Sequence, residues 1–279
     1  MADRPYDIDA LLSIMGRLRD PETGCPWDRA QDFRDIVPST LEECYELAAA
    51  IEDEDFPHVA DEFGDLLFQV VFYARLGEER GLFDFHGIVS LLSEKLLRRH
   101  PHVFPDGSPD STGDAELSGA EIKARWEEIK AQERRQRGQG EVLADVPRAL
   151  PALVRAQKIQ KRAARVGFDW QGDGALSGVT ARLREELEEL QAALAQGDDA
   201  AVAEELGDLM FSSVNLARHC RLDAESVLRA ATRKFERRFA CMEALARDEG
   251  ESLEGLSVEA WERFWARAKS LTRQGLSDA

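Results

Sequence analysis

Along most of this chain, apolar residues recur at the three- and four-residue spacing of a single helix face, with polar residues between them. The first such stripe is Ile8, Leu11, Leu12, Met15 and Leu18, which predicts a helix over residues 7–19 with Asp7 as its N-cap. Residues 20–39 contain Pro21, Gly24, Pro26 and Pro38 and read as a loop, after which Ser39 or Thr40 caps a helix over 40–54. Pro57 falls in the first turn of the next helix, 57–80, where its missing N–H costs little, and Gly81 ends it. Helices are expected over 85–99 and 119–134, separated by His100-Pro101-His102 and an exposed Pro/Gly/Ser/Asp loop at 105–118. The pattern resumes over 148–164, 176–196, 199–219, 223–247 and 257–272. No stretch alternates apolar and polar residues with β-branched enrichment, so the expected fold is all-α.

The polar positions repeat too. Residues 41–75 hold Glu42, Glu43, Glu46, Glu62 and Asp65; residues 183–218 hold Glu185, Glu186, Glu189, Glu205 and Asp208. Each is a Glu-Glu-x-x-Glu followed by a Glu-x-x-Asp, and every second-copy carboxylate lies 143 residues after its counterpart (185 against 42, 208 against 65). Gly24/Gly167 and Trp27/Trp170 keep that offset. Lys95/Lys234, Arg98/Arg237, Arg99/Arg238, Trp126/Trp265 and Lys130/Lys269 share an offset of 139, as a four-residue difference in the loop after Arg75 would produce. The chain therefore reads as two tandem repeated helical-bundle domains, 1–134 and 148–279, joined by a charged, glycine-containing linker at 135–147.

At roughly 100° of rotation per residue, Glu185, Glu186 and Glu189 fall in one wedge about 100° wide. Glu205 and Asp208, three residues apart, share a face of the next helix. The run after Asp208, Leu-Met-Phe-Ser-Ser-Val-Asn-Leu-Ala, is too apolar for a solvated helix. Carboxylates gathered there repel one another and resist desolvation, so the cluster asks for a divalent cation. All-oxygen ligands suit Mg²⁺, or Mn²⁺ in its place. A di-iron site of the Glu-x-x-His type does not fit, since none of the five histidines has Glu three residues before it. A solvated acidic face would account for one copy of the motif, but two copies at a common spacing favour metal binding.

Three further features carry candidate chemistry. Lys234, Arg237 and Arg238 form a basic cluster suited to a phosphate clamp, or simply to surface ion pairs. Trp265 is placed to serve as core or as a stacking platform for a base. Asn215 lies seven residues after Asp208, about 20° off its stripe, and offers a donor and an acceptor to a ribose or base, or else satisfies a neighbouring helix. Phe72 occupies that position in the first repeat, so the C-terminal copy is expected to carry most of any activity.

Composition narrows the setting. With 54 acidic against 36 basic side chains the formal net charge is −18, which argues against a nucleic-acid or anionic-membrane surface. Cys25, Cys44, Cys220 and Cys241 lie far apart with no Cys-x-x-Cys pair and read as reduced thiols. The acidic N-terminus lacks a signal-peptide core, and the apolar runs fall short of the ~20 residues of a spanning helix. The expectation is a cytoplasmic protein.

The two carboxylate sets, Gly24-Cys25-Pro26-Trp27-Asp28, His100-Pro101-His102-Val103-Phe104, the run from Gln160 to Trp170, and Lys234-Phe235-Glu236-Arg237-Arg238-Phe239 together resemble the MazG family of nucleoside triphosphate pyrophosphohydrolases. The resemblance covers nearly the whole chain, in the family's tandem-domain form. It implies Mg²⁺-dependent hydrolysis of nucleoside triphosphates to monophosphate and pyrophosphate, as housecleaning of nucleotide pools. It implies that Glu186, Glu189, Glu205 and Asp208 hold the metal, with Glu43, Glu46, Glu62 and Asp65 as a second set. Glu185 would then orient or deprotonate water. It also implies an intertwined homodimer whose sites are shared between chains. A dUTP/dCTP pyrophosphatase or a phosphoribosyl-ATP pyrophosphohydrolase of the same superfamily is the alternative enzyme. A non-catalytic nucleotide-binding helical regulator is the alternative of another class, disfavoured because all ten carboxylates are present.

Overall fold

The computed structural model describes residues 6–113, 117–136, 141–144 and 146–274; among them there are eleven helices and no strand. Residues 114–116 of the expected loop, and 137–140 and 145 of the expected linker, lie outside the described residues. The chain divides into two compact units, residues 1–133 and 134–279. No helix among the described residues is long and apolar enough to cross a membrane.

The first unit comprises α1 (Ile8–Leu18), α2 (Pro26–Ala30), α3 (Phe33–Glu52), α4 (Phe56–Glu79), α5 (Phe85–Arg99) and α6 (Gly119–Gln136), whose last residues run past its boundary. Asp7 caps α1 by accepting from the Ala10 N–H at 2.9 Å. The short Asp53–Asp55 connection folds α3 and α4 into an antiparallel pair, and α1 and α5 pack against α4. Their apolar stripes meet in a core of Met15, Ile36, Val71, Phe72 and Leu76, ringed by Leu11, Leu12, Phe33 and Phe68.

Two features here depart from the sequence pattern. Helix α3 begins at Phe33, not at residue 40, because Asp32 and Asp35 form a reciprocal capping box and Phe33 and Ile36 pack into the core. Pro38 therefore sits inside the helix, where it removes one backbone hydrogen bond at a cost of about 3 kcal/mol. Packing of the two added turns offsets that loss. Helix α2 arises in the stretch read as loop because buried Arg19 reaches it from the end of α1. Arg19 Nη1 donates to the carbonyls of Asp28 and Gln31, while Nε and Nη2 donate to Glu79 at 3.0 and 2.8 Å.

The second unit comprises α7 (Ala152–Arg165), α8 (Ala175–Gln196), α9 (Asp199–His219), α10 (Ala224–Asp248) and α11 (Val258–Gln274). Helix α7 starts four residues later than the pattern suggested, since Leu150 precedes Pro151 and is steered away from helical backbone. Helices α8 and α9 form the main antiparallel pair, with α7 against α9 and α10. Gln157 of α7 fixes the α9–α10 turn, donating to Leu222 O at 2.8 Å and accepting from the Ala224 N–H at 3.1 Å. Helices α10 and α11 share a separate core of Met242, Ala246, Phe264 and Ala268.

The α8–α9 turn is closed by Gly197 in the left-handed region, φ +69°, and Asp198 caps α9 through the Ala200 and Ala201 N–H groups. The equivalent turn of the first unit places Glu54 in the same conformation, φ +57°. Thus the two copies share a backbone but not the residue suited to it.

Candidate active site

Each helical pair brings three carboxylates together across its interface. In the second unit, Glu186 from α8 meets Glu205 and Asp208 from α9, with one oxygen of each within 4.8 Å of the others. Glu43, Glu62 and Asp65 do the same across α3 and α4. The buried member is a different one in each set: Glu186, from the first helix of the pair, in the second unit, and Glu62, from the second helix, in the first. One oxygen of each, Glu186 Oε2 and Glu62 Oε2, is buried with no hydrogen-bond partner. A buried, unpartnered carboxylate oxygen within an all-oxygen set fits a divalent cation; in the first set the other oxygen of the buried member, Glu62 Oε1, lies 2.6 Å from His58 Nε2.

The electrostatics agree. Burial, followed by the charges of Asp65, Glu46 and Glu62, raises Glu43 above the ordinary carboxylate range. Burial likewise raises Glu186; the Arg182 guanidinium opposes this, and Asp208 and Glu189 add to it. Burial and then Glu189 raise Glu205. These are the marks of negative charge held together against its own repulsion.

The remaining carboxylates stand differently. Glu46 and Glu189 are exposed and lie outside the tight sets, one helical turn beyond Glu43 and Glu186 on the same helices. Glu185 is exposed and pairs with Arg182 at 2.8 Å; Glu42 is exposed as well. Arg182 also grips Glu186 Oε1 at 2.7 Å. Sequence reasoning passed over this arginine, although its place four residues before Glu186 on one helix marks it as an ion-pair partner.

A cavity of about 440 Å³ opens beside the second triad. Its wall includes Glu186, Asp208, Arg182, Asn215, Arg218 and the aromatic pair Phe168 and Trp170. Trp170 lies so close to Gly178 that a Cβ there would meet its ring at 2.3 Å, so this glycine seats the indole. Asn215 is buried, and its Oδ1 accepts from Arg218 Nε at 2.9 Å and Nη2 at 2.7 Å. Arg218 in turn forks onto Asp169, and its hydrogen bonds hold that carboxyl below its usual range. Phe72, in the place of Asn215, is wholly buried in the first unit's core, with Arg19 over its ring at 5.1 Å.

The basic cluster and Trp265 are not among the described residues of that wall. Lys234 and Arg237 are exposed on α10, about 15–20 Å along the helix from its anchored start at the usual rise. Arg238 Nε is buried without a hydrogen-bond partner. Trp265 packs against Phe235, ring centroids 5.4 Å apart, beside the α10–α11 core. The first unit uses its corresponding arginines otherwise: Arg98 and Arg99 both clamp Glu133 of α6, at 2.8 and 2.5 Å, drawing its pKa down to about 2. Thr272 occupies the position equivalent to Glu133 in the second copy.

Comparison with known proteins agrees with this duplication. The model of the MazG nucleotide pyrophosphohydrolase domain matches residues 31–104 and again 176–240, spanning both helical pairs. The chain is 50% identical over 264 residues to the nucleoside triphosphate pyrophosphohydrolase of Escherichia coli (strain K12), covering 94% of this chain and 97% of that one. It is 44% identical over 262 residues to the nucleoside triphosphate pyrophosphohydrolase/pyrophosphatase MazG of Thermotoga maritima, covering 94% and 95%. A nucleoside triphosphate pyrophosphohydrolase of Mycolicibacterium smegmatis is 34% identical over 163 residues, covering 58% of this chain and 47% of that one. With two matched segments and relatives aligned almost end to end, the chain belongs to the MazG nucleotide pyrophosphohydrolase family.

Proposed function

We propose that this protein hydrolyses nucleoside triphosphates between the α- and β-phosphorus, releasing nucleoside monophosphate and pyrophosphate, chiefly in its second unit. The observation that carries the reading is the Glu186, Glu205 and Asp208 set, with its orphaned buried oxygen, opening onto a cavity of nucleotide size. In this reading residues 1–134 and 148–279 are the two copies, joined by 135–147, and the role is removal of unwanted triphosphates from the nucleotide pool.

Glu186, Glu205 and Asp208 would hold Mg²⁺, with Mn²⁺ able to substitute, and Glu189 would complete the set from the adjacent turn. When bound, the cation offsets phosphate charge and lowers the pKa of its water. Arg182 neutralises part of the charge on Glu186 and keeps Glu185 beside the triad, where that carboxylate can accept the proton of the attacking water. The water oxygen bonds to the α-phosphorus, the bond from that phosphorus to the bridging oxygen breaks, and pyrophosphate departs with the bridging oxygen and its electron pair. Phe168 and Trp170 supply apolar walls for the base.

Lys234, Arg237, Arg238 and Trp265 are substrate contacts in this reading only if a second copy brings its α10–α11 arm to the cavity, so the protein is proposed to act as a homodimer. The exposed Leu187 and Leu194 of α8, seven residues apart, and Leu206 and Met210 of α9 support such a contact. The test is phosphorus-resolved product analysis on a panel of triphosphates with purified full-length protein. Monophosphate and pyrophosphate are expected, with loss of turnover in EDTA and its return on adding Mg²⁺. Diphosphate with orthophosphate, or full turnover in EDTA, would reject the reaction. Light scattering on the same sample should give twice the 31.2 kDa chain mass; a monomer would reject the shared site.

A further inference from the structure

The side-chain amide of Asn215 has a fixed polarity, and its neighbours set it. A guanidinium carries only donors, so the Asn215 atom facing Arg218 must be the carbonyl oxygen. That oxygen receives two hydrogen bonds, from Nε at 2.9 Å and Nη2 at 2.7 Å, which occupy both of its lone pairs. Arg218 cannot swing to release it. Its Nη1 is 2.8 Å from Asp169 Oδ2, its Nη2 also donates to Asp169 Oδ1, and His219 Nε2 lies 2.9 Å from that same oxygen. The Arg218 and Asp169 side chains are only 12% and 15% exposed.

What remains is the amino group of Asn215, which donates to none of the described residues, on a side chain that lines the cavity. Asn215 lies about 10 Å along α9 from Asp208 at the helical rise, so phosphates held at the carboxylates would put the sugar or base near it. We propose that Asn215 contacts the substrate as a hydrogen-bond donor only, reading an acceptor atom of the nucleoside, and that Arg218, braced by Asp169, is the positioning residue that imposes this polarity. The proposal rests on the reading of this cavity as a nucleotide site. The sequence alone left Asn215 able to donate or accept; the Arg218 fork removes the second option. The first unit has no such device, with Phe72 in place of Asn215 and Pro26 in place of Asp169.

The test measures binding apart from turnover. Calorimetric titration with Mg²⁺ uses two ligands: an adenosine triphosphate analogue with an imido bridge between its α- and β-phosphorus, and imidodiphosphate, which has no nucleoside. Asn215→Asp keeps oxygens toward Arg218 but removes the amino group. It should weaken the nucleotide analogue roughly 10- to 100-fold while leaving the imidodiphosphate Kd within about twofold of wild type. Arg218→Lys keeps the charge beside Asp169 but cannot fork, and should weaken the nucleotide analogue several-fold with imidodiphosphate again spared. The double variant should bind no worse than Asn215→Asp, since both changes disable one contact. Repeating the Asn215→Asp series with the 2′-deoxy analogue and with a uridine analogue separates the sources. The penalty shrinks for the deoxy form if the acceptor is the 2′-oxygen, and shrinks for uridine if it is an adenine ring nitrogen.

Wild-type nucleotide affinity in Asn215→Asp, equal losses for both ligands, or additive single-variant losses would overturn the proposal. A wild-type protein that binds the analogue with the expected variant pattern but releases orthophosphate would uphold it and reject only the proposed reaction.

Discussion

Glu54 and Gly197 hold the same left-handed backbone in equivalent turns, at φ +57° and +69°. A side chain in that region costs roughly 1–2 kcal/mol through Cβ crowding, whereas glycine adopts it freely but loses more entropy on folding. Glu54→Gly should therefore stabilise the first unit by about 0.5–1 kcal/mol, and Gly197→Ala should destabilise the second by about 1 kcal/mol. Urea titration of the full chain reads both; a Glu54→Gly variant less stable than wild type would show that the glutamate side chain makes up for its backbone. Other single residues build the carboxylate set and its cavity wall, and here the sequence was unevenly informative. Glu186, Glu205 and Asp208 were legible because a helix converts a three- or four-residue spacing into a shared face. Arg218 and Asp169 were not, because they are 49 residues apart and meet only through the tertiary fold.

At the scale of helices, most boundaries followed from the apolar stripes, and Asp7 caps α1 as its position suggested, whereas the cap expected at Ser39 or Thr40 is Asp32 instead. Two of the departures share a cause. Pro38 looked like a boundary, yet Phe33 and Ile36 carry α3 through it by packing on the core, and α2 exists because an arginine from α1 captures its carbonyls. Local propensity yields to tertiary contacts in both cases. The attachment of α6 to α5 gives a measurable consequence. Arg98 and Arg99 hold the Glu133 carboxyl at about 2, below its ordinary 4.5, so the folded state binds this proton less readily than the unfolded one. The stabilisation is complete above about pH 4.5 and is lost as pH falls toward about 2. Glu133→Gln should lower the melting temperature at pH 7, and the gap from wild type should narrow steadily as pH falls from about 4.5 toward 3. A constant gap across that range would mean the ion pair contributes nothing.

The whole molecule contains two near-copies of one carboxylate arrangement in unlike surroundings. The second has a cavity beside its triad with Asn215 and Arg182 in the wall, and a basic cluster that lacks a counterpart of Glu133. In the first, Arg98 and Arg99 are engaged with Glu133, and Phe72 fills the core. The full-length pair Glu46→Gln/Asp65→Asn and Glu189→Gln/Asp208→Asn separates the two. The first double variant should keep most of the pyrophosphate release and the second should lose most of it; equal losses, or the reverse order, would show that the units contribute otherwise.

Phe72 and Asn215 occupy one position of a duplicated sequence, yet they answer to different constraints. At 72 the constraint is volume: a cavity left by Phe72→Ala in a closed core costs about 3–5 kcal/mol, while leucine or methionine can be accommodated. At 215 the constraint proposed above is direction: the oxygen faces Arg218, and the amine is left for a substrate acceptor in the cavity that the side chain lines. A residue of similar size without that polarity would preserve the helix and lose the contact. Leucine or methionine, acceptable at 72, would fail at 215 under that proposal, so one position of the duplicated pattern answers to packing in one unit and to recognition in the other.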